Sequence, residues 1–434
     1  MNARVPFIFL VGAVSSVAAG QPAARPSDRF LSSSGSSIEE LVEAALAREP
    51  GVQAFRQQVQ AARGREQQGT LRPNPTLTLG RNEEVGGTDN NTLVGIAWPL
   101  DLWRKSARVT VAERGTDVAR AELSDRERLL ASEVMRAAGN LLAAVRSLRV
   151  AEDLLAANRQ FAALVDARVR EGATPALERG LVRVEVSRIE TERVLGEARA
   201  EMALLEVKRL VGLMPNAELT LREDLDRAAR ASRMSSTAQK PPAIEARPDV
   251  QAAEARVAAA GARQELVGRD GRADASLIAA YSRMDSGFPQ LGFSATGGLE
   301  QVRDVFHRIE IGVAWQLPLR NRNQGEIAAL QSERMAAQQD SARVRLAAAA
   351  ELASAEVREA KALQALAIYT GDVLGQAREN LDVLRESYEL GRSALLDVIA
   401  EERRYLEVEE GYTEVLLELY QARVDLRRAR GESR

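Results

Sequence analysis

Two acids stand at equivalent places in two halves of the chain. Glu178 follows Gly172 by six residues, and Asp397 follows Gly391 by six. Gly212 and Gly431 lie as far apart as Gly172 and Gly391, so turn and end keep one spacing. The chain therefore reads as a duplication whose unit contains a long helical hairpin. The chemistry open to these carboxylates is electrostatic. At a helix start they complement the helix dipole; repeated around a narrow opening they repel one another and attract cations. Arg392, beside the second turn, offers Glu178 an ion-pair partner between neighbouring hairpins. Catalysis finds no constellation. His307 is the only histidine, expected at a strand start as a surface residue, and no glycine loop suits a phosphate. The absence of cysteine excludes disulfides, thiolate metal sites, a thiol nucleophile and a lipid-bearing cysteine. No catalytic, cofactor or metal residue is assigned.

The elements that must position these acids are long helices. At 434 residues the chain exceeds one ordinary core, yet aromatics are only 4% and alanine is plentiful. Small side chains suit closely packed helices. A net charge of −3, with acids and bases interspersed, implies no polyanion partner and no nucleic acid. Residues 1–20 read as a secretory signal, with Arg4 as the charge, Val5 to Val17 as the apolar stretch and Ala18-Ala19-Gly20 as the cleavage site. No later run reaches the ~20 apolar residues of a spanning helix.

Residues 21–36 read as a flexible lead-in, 37–213 as a first unit, 214–247 as a connector outside the main bundle, and 248–431 as a second unit. Ser37-Ile38-Glu39-Glu40 is a capping box that opens a helix running to about residue 68, where Arg72-Pro73-Asn74-Pro75 stops it. Strands are expected over residues 76–83 and 92–102, then a proline-free helix over 104–171. Thr174 and Pro175 are expected as N-cap and first residue of the return helix. On that helix Leu177, Leu181, Val184, Leu195, Met202 and Leu205 fit a coiled-coil seam interrupted by Arg188 and Arg209. The second unit repeats the order: a strand over 273–285, a glycine-rich loop over 286–304, a strand over 306–319, a helix over 323–389 opened by an Asn323–Glu326 capping box, the Gly391 turn and a closing helix.

The strands carry one apolar face each. Val94, Ile96, Trp98, Leu100 and Leu102 alternate with small or polar residues, as do Ile309, Ile311, Val313, Trp315, Leu317 and Leu319. A soluble protein would lay that face on its helices, but these run ~100 Å away and have seams of their own. Lipid is the remaining place, and strands of ~10 residues suit an outer membrane. Trp98 and Trp315, near strand ends, suit an interfacial girdle. Four strands leave two open edges, which lipid does not tolerate, so the sheet must close with copies of itself.

The doubled order of elements, with Tyr388-x-x-Gly391, Asp397-Val398 and the terminal Leu426-Arg427-Arg428-Ala429-Arg430-Gly431, resembles the outer membrane efflux protein (TolC) family over nearly the whole mature chain. The resemblance implies a mainly α protein with a membrane β-barrel portion. Long antiparallel coiled-coil helices would form a tunnel, and four strands per protomer would contribute to a trimeric twelve-stranded barrel. It implies a passive exit duct, with no enzyme activity, in the Gram-negative outer membrane with a large periplasmic portion. The implied partners are two further copies in a homotrimer, outer membrane lipid, a periplasmic adaptor (membrane fusion protein) and an inner-membrane transporter of the resistance-nodulation-division type. The stretch Leu317-Pro318-Leu319-Arg320-Asn321-Arg322-Asn323-Gln324-Gly325-Glu326 is similar to heavy-metal resistance members of the cobalt–zinc–cadmium type, implying divalent metal cations as cargo. Multidrug efflux and type I protein secretion are the alternative duties of such a duct, and a soluble periplasmic coiled-coil adaptor is the remote one.

By the same resemblance the turns meet the adaptor, through Gly172, Thr174, Pro175, Gly391, Arg392 and Ser393. Acids one turn inside the second tip would ring the periplasmic mouth. Asp397 occupies the first such position, but Ala400 stands at the second, a departure from the double ring. The expected gate set is Asp397, Glu178 and Arg392.

Overall fold

The computed structural model describes residues 25–87, 89–231 and 244–432. The expected signal at 1–20 lies outside the described residues, as does 232–243 of the expected connector. A 3-10 turn and strand β1 (Leu31–Ser36) lead into α1 (Ile38–Arg48) and α2 (Pro50–Thr70). Ser37 caps α1 with the reciprocal Glu40 bond read from sequence. The single helix expected to residue 68 is two, because Glu49 is held extended before Pro50 and its carboxylate accepts from Val52 N to cap α2. Then come β2 (Thr76–Glu83), β3 (Asn90–Pro99), α3 (Arg104–Arg170) and α4 (Ala176–Val211). Short α5 (Leu225–Ala231) precedes α6 (Pro248–Asp270), β4 (Asp274–Phe293), β5 (Leu299–Gln316), α7 (Gln324–Ile368), α8 (Leu374–Glu389) and α9 (Leu395–Ala429).

The sheet is antiparallel in the order β2-β3-β4-β5. Its register places Leu79, Val94, Tyr281 and Ile309 in one row, Leu77, Ile96, Ala279 and Ile311 in the next, and Trp98, Leu277 and Val313 in a third. This face is covered by nothing among the described residues: Ile309 and Ile311 are each 77% exposed. The rows from Ile309 to Trp315 span about 20 Å at ~3.3 Å per residue. Thr78, Gly95, Ala280 and Glu310 share a row on the opposite, small and polar face. β2 and β5 are the free edges.

Helices α2, α3, α6 and α7 continue the strands in the same lateral order, each packing on the next. They form a wall one helix thick. α3, at 67 residues, is a rod of ~100 Å that passes from the sheet to the far tip. The main core lies at mid-length, where Leu130, Leu141 and Leu148 of α3 meet Leu41 and Ala45 of α1 and Leu416 and Tyr420 of α9. Gly139 is required there, since a Cβ would stand 2.5 Å from the Tyr420 ring.

Several expectations are corrected. The loop expected over 286–304 is mostly strand: β4 and β5 stay paired out to Phe293 and Leu299. Pro289 falls where the register shifts between Gly287 and Leu291, so a bulge absorbs the residue that argued against a strand. The helix expected over 323–389 is broken by a π turn at Tyr369–Val373, where the Tyr369 hydroxyl fills the space a Cβ on Gly411 would need. Asn323 forms no capping box; it sits at φ 59, and its Nδ2 donates to Val267 O at 3.4 Å. Pro175, not Thr174, is the N-cap of α4. His307 lies inside β5 rather than at its start, accepting or donating a 2.6 Å hydrogen bond at Tyr281 Oη.

The seam read on α4 is also reassigned. Leu177, Val184, Leu195, Met202 and Leu205 are all exposed in the protomer. The stripe that packs within the protomer is Val182, Glu185, Ile189, Gly196, Ala200 and Val207. Its glycine, alanine and glutamate look like breaks to a heptad search, while close approach to α3, with Gly196 against Leu148, is what makes it the buried side.

Candidate functional site

The two tips are built alike. α3 ends at Gly172 with φ 75 and α8 ends at Gly391 with φ 71. In each, the glycine N–H and the next N–H turn back onto the last carbonyls: Gly172 N to Val169 O and Ala173 N to Arg168 O, Gly391 N to Tyr388 O and Arg392 N to Ser387 O. The same double closure recurs at Gly212 and Gly431. Left-handed φ is cheap only for glycine, which is why the duplication preserves all four. At the tips Pro175 and Arg392 are exposed, and Thr174 and Ser393 are half-buried. Ser393 Oγ donates to Leu384 O at 3.3 Å.

Behind the tips the hairpins are tied together by Glu178 and by two residues with no role assigned from the sequence, Tyr388 and Arg168. Tyr388 of α8 is 4% exposed and sits in a small apolar cluster with Phe161, Val165, Val182 and Val398. Its hydroxyl donates to Glu178 Oε2 at 2.6 Å, from one hairpin to the other. Burial, then the hydrogen bond to Glu178, pushes the Tyr388 phenol up to about 12. Arg168 of α3 crosses the opposite way. Its Nη1 donates to Tyr388 O at 2.9 Å and Glu389 O at 3.0 Å, and its guanidinium lies 5.2 Å from the Tyr388 ring centroid. It thus caps the orphan carbonyls at the end of α8, where a cation is favoured. The signal that could have found Tyr388 is a break in the duplication: Val169 is its counterpart in the first unit.

The three expected gate residues part company. Glu178 is half-buried and taken by Tyr388, not Arg392. Arg392 is exposed, and its guanidinium holds no ion pair among the described residues. Asp397 is exposed at the start of α9, and its Oδ2 accepts from Ala394 N at 3.3 Å. In the protomer it closes a helix end, as the dipole reading anticipates. Ala400 is exposed one turn on.

Further along the hairpins lies a buried charged layer. Glu402 of α9, 1% exposed, accepts from Arg385 at 2.6 Å. Glu185 of α4 receives Arg188 at 2.7 Å and Arg403 of α9 at 3.1 Å, a further link between hairpins. Burial pushes the Glu402 carboxyl up. Burial works against Glu185 too, but the hydrogen bonds from Arg188 and Arg403 hold it below the usual carboxylate range. Sequence reading missed this layer because interspersed charges on a helix look like a solvated face.

At the other end Trp98 and Trp315 are exposed on the apolar sheet face, toward the helices. Among the described residues no helix is long and apolar enough to cross a membrane, and no cluster of His, Cys, Asp or Glu forms a metal site.

An exposed apolar sheet continued by a wall of long helices defines an outer-membrane channel fold. Three solved structures share it across nearly their full length. CusC, described with transmembrane channel formation, superposes with a TM-score of 0.73 at 18% identity, over 96% of both chains. The outer membrane protein VceC of Vibrio cholerae gives 0.70 at 18%, over 91% of this chain and 96% of its own. The open MtrE outer membrane channel of Neisseria gonorrhoeae gives 0.71 at 17%, over 95% and 94%. Residues 41–213, the first unit almost entire, match the sequence model of the outer membrane efflux protein family. No curated protein matches the sequence. The relatives that share this fold are channels rather than enzymes.

Proposed function

We propose that the chain belongs as a whole to the outer membrane efflux protein family and is the passive exit duct of a tripartite efflux system. The observation that carries this is the exposed apolar face of a sheet whose two edges, β2 and β5, are unpaired. Three copies joined edge to edge would make a twelve-stranded barrel with no edge left in lipid. The exposed α4 stripe through Leu177, Val184 and Met202 supplies an apolar face for the neighbouring copy. The helical walls would then enclose a periplasmic tunnel whose tips, Gly172 to Pro175 and Gly391 to Ser393, meet a periplasmic adaptor. An inner-membrane transporter of the resistance-nodulation-division type would supply the energy. The lock at the mouth is Tyr388–Glu178, with Asp397 and Arg392 free to act between copies.

For the cargo, the stretch Leu317 to Glu326 supports divalent heavy-metal cations by its likeness to metal-resistance ducts. A second reading, export of organic compounds, is favoured by the arginine-lined furrow described below. A susceptibility panel on a deletion strain, with and without the restored gene, tests both. Sensitisation to Zn, Co, Cd, Ni, Cu or Ag salts alone supports metals. Sensitisation to dyes, detergents and antibiotics alone retains the duct and removes the metal cargo. No sensitisation to either removes the efflux reading.

A further inference from the structure

The concave face of the helical wall carries a furrow of about 1070 Å³. It is lined from α2, α3, α6 and α7 at once. Within this set of four, α2 packs on α3, α3 on α6 and α6 on α7, so a cavity reached by the first and the last lies on the inner curve of the row. The floor is apolar: Ala62 and Gly69 of α2, Val111 and Val118 of α3, Ala259 of α6. Around it stand Arg65, Arg72 and Arg263, all exposed. Their guanidinium groups make no ion pair and no hydrogen bond to the described residues. Two other arginines at the rim are engaged, Arg108 with Asp101 at 2.9 Å and Arg256 with Glu122 at 2.7 Å. Glu333 is the one carboxylate in the lining.

Some exposed arginines on these helices find acids within a turn, as Arg114 finds Asp117 and Arg343 finds Asp340, while Arg63 and Arg334 stand singly without one. Three that do not, grouped over an apolar floor, make a surface with two unmet demands. One is for apolar area, the other for negative charge. A molecule that meets both is an amphiphile with an anionic head. The volume is of the size small-molecule sites take, roughly 300–1,000 Å³, and guanidinium forks match carboxylate and sulfonate geometry.

We propose that this furrow binds amphiphilic organic anions, the apolar body on the alanine and valine floor and the carboxylate or sulfonate on Arg65, Arg72 and Arg263. The inference rests on the duct reading, which makes the concave face the lumen, and it gives that reading a cargo class. In a closed ring of copies the arginines repeat around the lumen as a cationic girdle, an arrangement that favours anions over cations.

The test uses the full chain in phosphatidylcholine nanodiscs, with taurocholate as the probe in isothermal titration calorimetry. Tetraphenylphosphonium and inorganic sulfate are the comparators. Taurocholate should bind saturably and both comparators should not. The triple variant Arg65→Gln, Arg72→Gln, Arg263→Gln should weaken taurocholate about tenfold or more, because it removes three charge-assisted contacts. These side chains are exposed and hold nothing in the fold, so the variant should assemble normally. No taurocholate binding, equal binding by the triple variant, or equal binding of tetraphenylphosphonium overturns the site. Single-channel conductance on the same preparation separates the two claims. A conducting protein that ignores taurocholate sinks the furrow alone, and a protein that binds taurocholate through the arginines without conducting sinks the duct alone.

Discussion

Tyr388 Oη donates to Glu178 Oε2 at 2.6 Å and so joins the end of α8 to the start of α4. The two hairpins, which share an apolar cluster behind their tips, are tied there by this bond and by Arg168 on the Tyr388 carbonyl. The bond is half-shielded from water, which makes losing one partner more costly than an exposed pair would suggest. The Phe161 ring, 5.2 Å from that of Tyr388, keeps the tyrosine in place.

Tyr388→Phe keeps the ring and removes the donor. Glu178 would then stand half-buried without its partner, at a cost of about 1–3 kcal/mol to the closed arrangement. The open fraction of the mouth should rise, seen as greater single-channel conductance and greater vancomycin entry in cells. Glu178→Ala should act in the same direction. Unchanged conductance and entry in both would remove the lock.

The same bond gives a pH dependence. The Tyr388 phenol is raised, by burial and then by Glu178, to about 12, against ~10 for an unperturbed tyrosine. A raised value means the folded state prefers the proton. Its contribution is complete below the unfolded value and is lost as pH climbs through the folded one. If the chain is the proposed duct, conductance should rise between about pH 10 and 12 in the native protein and stay flat over that window in Tyr388→Phe. At the acid end two neighbouring carboxylates have opposite signs. Glu402, raised by burial, contributes most below the ordinary carboxylate range and loses that contribution as pH rises. Glu185, held low by Arg188 and Arg403 against burial, loses its contribution as pH falls through its folded value.

Asp397 separates charge from capping. Asp397→Ala removes both the bond from Ala394 N and the charge, and should loosen the start of α9 by about 0.5–2 kcal/mol. Asp397→Asn keeps an acceptor and removes only the charge. If repulsion and cation attraction among copies matter at the mouth, Asn should change cation-over-anion permeability as much as Ala does. If only the cap matters, Asn should behave like the native protein in reversal-potential measurements.

What was legible in the sequence follows from range. Period-two alternation in β3 and β5 needs no partner to be seen, so Val94, Ile96 and Trp98, like Ile309 to Trp315, were placed on one face correctly. The glycine turns were visible because a positive φ leaves a residue-type mark and the duplication shows it twice. Contacts between hairpins leave no such mark. Glu178 stands out as a duplicated acid and Tyr388 as part of Tyr388-x-x-Gly391, but the two are far apart in the chain and nothing local shows that they meet. The extended β4–β5 arms were hidden because glycine, serine and proline outside the apolar band argue for loop, while pairing across the hairpin overrides them. On α4 the more apolar stripe is the one the sequence displays, and within the protomer the fold buries the smaller one.

Arg247 anchors the far end of α9. It is 2% exposed and donates to Ala429 O at 3.1 Å, Ala348 O at 3.3 Å, Glu351 at 3.0 Å and Asp249 at 2.7 Å. Burial works against its charge, but these acids hold its pKa above the ordinary value. Arg247→Ala would take from Asp249 its closest cation, leaving it Val250 N and Arg128 at 3.6 Å, and from Ala429 O and Glu351 a buried donor; it should destabilise by at most about 3–5 kcal/mol. Arg247→Met, which fills the space, should lose the same charge-assisted bonds and recover only the packing share. Thermal melts of the purified protein would rank the native protein, Met and Ala in that order; an Ala variant melting with the native protein would show the cluster to be dispensable.

The sheet supplies the last prediction, through the two sides of one strand. Ile311 and Gly312 are neighbours in β5, and the register sends them to opposite faces. Ile311 is 77% exposed beside Ile96 and Ala279 in the middle of the apolar band. If that face meets hydrocarbon, Ile311→Arg should cost roughly 2–4 kcal/mol per protomer at mid-depth. The outer-membrane fraction should then fall and detergent-extracted oligomer should be lost. Gly312 faces the small, polar side, next to Ile278, with nothing within 4 Å of an added Cβ. Gly312→Ser should therefore assemble as the native protein does. Fractionation and native electrophoresis of both variants decide the matter. A soluble coiled-coil protein would tolerate both changes, because on a water-facing sheet arginine is welcome, whereas a lipid-facing one must reject the first and accept the second.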